Sequence, residues 1–68
     1  MNILFSKNLL ELRKGCGLKQ EELAVALHTT QRTISYWETG QTQPSLEDLW
    51  VIADYFDISI DELIGRKD

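Results

Sequence analysis

The sequence predicts an all-α domain of five short helices, and three observations predict it. Apolar residues recur at helical spacing along the chain, from Phe5, Leu9 and Leu12 through Leu23 and Leu27, then Ile34 and Trp37, to Leu49, Ala53 and Phe56. Ser45 stands three residues before Asp48, and Ser59 three before Glu62, the arrangement of hydroxyl and carboxylate that satisfies free amides at a helix start. No segment alternates apolar and polar residues as a half-buried strand does.

The first helix has Phe5, Leu9 and Leu12 as its inner stripe, and Gly15 and Gly17 end it by offering positions tolerant of left-handed dihedrals. Cys16 between them reads as a small filler. It is the single cysteine of the chain, so neither an internal disulfide nor a thiolate metal cluster can form. Gln20 opens the second helix and Thr30 the third. Leu23, Ala24 and Leu27 face Ile34 and Trp37 across only His28, Thr29 and Thr30, which forces the two helices to cross steeply with Ala24 at the close contact. At about 100° per residue, Arg32, Ser35, Tyr36 and Thr39 fall on the side of the third helix opposite Ile34 and Trp37. That face offers donors, acceptors and a ring, where a scaffold helix would carry Glu and Lys.

A fourth helix is expected from about residue 46 to 56, with Leu46, Leu49, Ala53 and Phe56 inward. A short fifth, at about 60–64, has Ile58 and Leu63 placed as a hydrophobic staple. On the fourth helix Val51 and Tyr55 stand four apart on the outer face, with Trp50 and Ile58 near its edges. Such a cluster on so small a domain is a candidate self-association surface.

Composition bounds the function. Sixty-eight residues make one domain, 1–68 with a core of about 5–65, and a chain this short has marginal stability unless it associates. The chain is 43% hydrophobic, a globular composition, with no apolar run of membrane-spanning length and no secretory leader, so a cytoplasmic location and no membrane partner are expected. His28 is the only histidine, and no acidic pair or serine is placed to make it catalytic. Neither enzyme activity, nor a cofactor, nor a metal is expected. The formal net charge of −4 lacks the basic footprint of a nucleic-acid binder, but it is unevenly spread. Residues 1–43 carry +1, whereas 44–68 carry −5.

The run L-x-Q-E-E-L-A at 18–24, T-Q-x-T-I at 30–34, W-E-x-G at 37–40 and P-S-L-x-x-L at 44–49 together resemble the Xre/Cro type of phage-repressor helix-turn-helix domain, over nearly the whole chain. The resemblance implies a compact lambda-repressor-like fold with the helix-turn-helix at helices 2 and 3, and double-stranded DNA as partner. The third helix becomes the recognition helix, entering the major groove with its N-terminal side chains at base edges. Gln31, Arg32 and Tyr36 are then the base readers; Gln suits adenine and Arg guanine, each pairing contributing about 1–3 kcal/mol of discrimination. Helix starts and polar loops should meet the phosphates through Lys19, Gln20, Thr30, Thr33, Ser35, Thr39, Gln41 and Thr42. The family pairs an arginine at the position of Arg13 with the glutamate of the W-E motif, here Glu38. That carboxylate lies about 40° round from Ile34 and needs a partner. Two departures stand out. His28 occupies a turn position that is usually glycine, and Lys19 replaces a capping threonine at a cost of about 1 kcal/mol.

The favoured expectation is a sequence-specific transcriptional regulator, a repressor occluding a promoter as a homodimer on a palindromic operator. A second is an antitoxin or mobile-element accessory protein acting mainly through a protein partner. A third is a helix-turn-helix scaffold without DNA binding. With few candidate phosphate-pairing cations, weak affinity for random DNA is expected, and hence reliance on base contacts and dimerisation.

Overall fold

A computed structural model of the chain describes residues 4–65. α1 spans Phe5–Gly15, α2 Gln20–Ala26, α3 Gln31–Thr39, α4 Leu46–Phe56 and α5 Ile60–Ile64, with no strand among the described residues. Each helix gives one side chain to the fully buried centre: Leu9, Leu23, Ile34, Ile52 and Leu63. Burying one such side chain stabilises by about 1.5–3 kcal/mol, so the five helices hold one another in place although none is long enough to persist alone. Phe5 packs edge-on against Trp37, ring centroids 6.2 Å apart, and joins the first helix to the third.

The ends of the helices follow local chemistry. Thr30, Ser45 and Ser59 each accept a backbone N–H three residues on, from Thr33, Asp48 and Glu62. At α4 the bond is reciprocated, because Asp48 accepts the Ser45 N–H at 3.1 Å. Lys19 has no side-chain acceptor to cap α2, but Glu22 accepts the Lys19 N–H at 2.8 Å, preserving the carboxylate half of a capping box. After α2 the chain turns through His28 at φ +57°, and the N–H groups of Thr29 and His28 return to the carbonyls of Ala24 and Val25. This is the paired C-terminal turn that usually takes glycine. It sends α3 back across α2.

Four sequence expectations need correction. Leu46 is 76% exposed, and Ile52 takes the inward place: the buried stripe is Leu49, Ile52, Ala53 and Phe56, and Leu46 lies about 120° round from Ile52, at the helix start. Cys16 is exposed and fills nothing. Of the two glycines after α1, Gly17 alone takes a left-handed φ, of +70°, while Gly15 remains in the helix. Ile58 leaves the proposed association surface, because it is half-buried and packs against the core at the α4–α5 junction. One sharp turn carried no glycine signal: Asp57 ends α4 at φ +56°.

Candidate nucleic-acid interface

α3 is seated on α1 and α2, with Ile34 and Trp37 in the core. Beside them the Glu38 side chain is only 3% exposed and accepts three hydrogen bonds. Arg13 Nε donates to Oε2 at 2.6 Å, Arg13 Nη2 to Oε1 at 3.0 Å, and Gln20 Nε2 to Oε1 at 2.9 Å. Arg13 Nη1 donates to the Leu18 carbonyl at 2.7 Å. One buried carboxylate thus ties α1, the start of α2 and α3 together. Its hydrogen bond holds the Arg13 guanidinium above its ordinary pKa, against the opposing effect of desolvation.

This network reaches the surface. Gln31 Nε2 donates to Gln20 Oε1 at 2.6 Å, so the first side chain of α3 rests against the first of α2. At the next residue, Arg32 Nε donates to the hydroxyl of Tyr36, one turn on, at 3.0 Å. The guanidinium carbon lies over the Tyr36 ring, 5.3 Å from its centroid, within the range of a cation–π contact. Gln31 and Arg32 are exposed and Tyr36 half-buried, so all three present polar groups at the surface of α3.

Thr30, Thr33, Ser35, Thr39 and Gln41 flank them. The Thr30 and Thr33 hydroxyls are 2.9 Å apart, and Thr39 donates its hydroxyl to the Ser35 carbonyl at 2.9 Å while accepting from Gln41 Nε2 at 3.2 Å. Gly40 at φ +78° lets the Gln41 N–H return to the Tyr36 carbonyl, which folds the loop carrying Gln41 and Thr42 back beside α3. Lys19 and Thr42 are exposed. A surface of this kind can offer an amide edge, a guanidinium and several hydroxyls to hydrogen-bonding groups in a groove. Exposed carboxylates of Glu47, Asp54, Asp57, Asp61 and Glu62 belong instead to α4, α5 and their junction.

Trp50, Val51 and Tyr55 are exposed on α4, and Leu46 joins them. Two site features went unread in the sequence. The contact between Gln20 and Gln31 depends on the crossing of two helices, and spacing carries no signal for it. The Glu22 contact was legible, since a carboxylate three residues after a helix start is half of a capping box even when the hydroxyl is missing.

The HTH-type transcriptional activator BcrR of Enterococcus faecalis is 39% identical over 64 residues, covering 94% of this chain and 31% of BcrR. Against the five curated relatives it matches, the chain spans from about a third to somewhat over half of their length. A transcriptional regulator from Listeria innocua superposes with a TM-score of 0.93 at 40% identity, over all of this chain and 64% of that one. The P22 c2 repressor, solved in complex with a synthetic operator, shares the fold with a TM-score of 0.85 at 24% identity, over 93% of this chain and 96% of its own. The helix-turn-helix family model matches residues 9–63, and with the lambda-repressor-like arrangement of its five helices the chain belongs to the helix-turn-helix family.

Proposed function

We propose that the chain is a DNA-binding transcriptional regulator acting in the cytoplasm, with α3 in the major groove and the start of α2 across the phosphate backbone. The observation that carries the reading is the set of outward polar side chains Gln31, Arg32 and Tyr36 on α3, with Gln31 bonded to the Arg13–Glu38–Gln20 network and Arg32 to Tyr36. Gln31 and Arg32 read base edges and Tyr36 a thymine methyl or a phosphate. Lys19, Gln20, Thr30, Thr33, Ser35, Thr39, Gln41 and Thr42 supply the backbone contacts. Thr39 accepts rather than donates there, since its own proton is committed to the Ser35 carbonyl.

One recognition helix covers only a few base pairs. The protein therefore binds as a homodimer to an inverted repeat whose half-sites lie about 34–36 Å apart, and represses by occluding the promoter. Trp50, Val51 and Tyr55 form the dimer surface. Selection of bound duplexes from a random pool at near-physiological salt tests this reading: recovery of an inverted repeat with that spacing is the expected result, and recovery of no preferred sequence by the folded dimer overturns it.

A second reading is favoured by the outer face of α4, where the exposed apolar pairs Leu46/Trp50 and Val51/Tyr55 flank the acidic Glu47 and Asp54. It makes the chain an antitoxin or mobile-element accessory protein that grips a protein partner there. Val51→Asp separates the two: loss of self-association alone supports the regulator, loss of partner capture the second reading.

A further inference from the structure

Arg32 is a cation without a carboxylate partner on a chain of formal charge −4. Among the described residues the one ion pair is that of Arg13 with Glu38. Arg32 is held instead by a neutral group, since its Nε donates to the Tyr36 hydroxyl at 3.0 Å and its guanidinium carbon lies over the same ring, 5.3 Å from the centroid. A carboxylate four residues on would hold an arginine equally well, but it would cancel the charge to which DNA is attracted. The phenol fixes the side chain and spares the charge.

Tyr36 is itself anchored. It is half-buried, and its carbonyl accepts the Gln41 N–H at 2.9 Å in the turn that closes α3. An exposed arginine without such a brace samples many rotamers and loses that freedom when a base captures it. Bracing it beforehand takes part of this loss out of the binding step.

The engaged atom also decides which edge of the guanidinium is left. The five N–H groups of an arginine can meet the O6 and N7 of guanine through Nε with one terminal nitrogen, or end-on through both terminal nitrogens. With Nε turned to the Tyr36 hydroxyl, the first way is closed. Nη1 and Nη2 of Arg32 donate to no other described residue, and they face guanine as a pair. The hydroxyl only accepts in this bond and keeps its own proton.

We infer that Tyr36 is a positioning residue for Arg32, holding the guanidinium so that its two terminal nitrogens read guanine end-on; this rests on the assignment of Arg32 as a base reader made above. The specificity at that base pair belongs to the two side chains together.

The test uses the full chain and its selected operator. The base pair read by Arg32 is identified as the one where Arg32→Ala abolishes selectivity, and affinities are compared for duplexes carrying guanine or adenine there. The wild type is expected to favour guanine by about tenfold. Tyr36→Phe keeps the ring and removes only the acceptor, and it should bring the ratio within about threefold. A Tyr36 that merely supports the helix or meets a phosphate lowers affinity for both duplexes alike, and one that reads its own base shifts selectivity at a different pair. An unchanged ratio at the Arg32 pair in the folded variant therefore overturns the inference, as does a wild-type preference for adenine there. A second measurement needs no DNA. Nuclear magnetic relaxation of the Arg32 Nε–H bond should show it ordered in the free wild type and mobile in Tyr36→Phe, and equal mobility in the two overturns the brace. Failure of the wild type to select any site, or of Arg32→Ala to alter selectivity, refutes the base-reading assignment itself and is thereby distinguished from failure of the brace.

Discussion

Replacing Arg13 with methionine keeps most of the alkyl stem and removes the guanidinium. The Arg13 and Glu38 side chains are 11% and 3% exposed, which places the pair in the buried regime. Loss of one partner there costs about 3–5 kcal/mol, against about 0.2–1 kcal/mol for an exposed pair. Glu38 would keep only its bond from Gln20, and the Leu18 carbonyl would lose its donor. Because Arg13 is the wetter partner, the lower figure of about 3 kcal/mol applies, and at roughly 4–8 °C per kcal/mol the melting temperature falls by about 12–24 °C. Thermal unfolding followed by far-ultraviolet circular dichroism reads the loss, with Glu38→Leu and the double variant completing a thermodynamic cycle. A fall below about 4 °C, or a coupling energy under about 1 kcal/mol, would show that the pair behaves as a surface contact. The sign with pH follows from the raised Arg13 pKa. Stability linked to that proton is fully present below the ordinary guanidinium range and is lost only as pH rises through the higher folded value. Its contribution to the difference between wild type and Arg13→Met is therefore flat from about pH 5 to 9.

Three further outcomes are expected. His28→Gly relieves the left-handed position after α2 and stabilises by about 0.5–1 kcal/mol in the same melting assay, after subtraction of the added freedom of the unfolded chain; destabilisation would mean that the imidazole makes a compensating contact. Arg32→Ala relaxes preference at one base pair of each half-site by about 1–3 kcal/mol in competition binding, and a uniform loss across sequences would instead make Arg32 a phosphate contact. Trp50→Asp converts the dimer to a monomer in sedimentation equilibrium while changing monomer stability by less than about 0.5 kcal/mol, because Trp50 is 69% exposed. An intact dimer would place the interface elsewhere.

What could be read from the residues was local. The caps at Ser45 and Ser59 announce themselves because hydroxyl and carboxylate are only three residues apart, and the five helices follow from them and from the apolar period. Leu46 and Ile52 show where that reasoning fails. Both suit an inner stripe by chemistry, yet Leu46 at the helix start is 76% exposed while Ile52, in the middle of α4, is 1% exposed. Ile58 is apolar and near the outer edge by spacing, yet it packs against the core where α4 and α5 meet. Asp57 adopts a glycine-like conformation because α4 must turn sharply into α5, a demand set by packing. At the candidate interface, the spacing places Arg32, Ser35, Tyr36 and Thr39 on one face and the family resemblance adds Gln31, but the bond from Gln31 to Gln20 and its continuation to Glu38 emerge only when α2 crosses α3.

The two tryptophans occupy opposite environments, with Trp37 in the core against Phe5 and Trp50 on the outer side of α4. This gives the protein two intrinsic fluorophores with separate duties. Emission from Trp37 should be blue-shifted, inaccessible to iodide and responsive to global unfolding. That from Trp50 should be red-shifted, readily quenched and responsive to whatever covers α4. A single titration without any label can therefore distinguish association from unfolding: quencher protection gained while the blue component holds steady reports a partner arriving, and loss of the blue component reports the core opening.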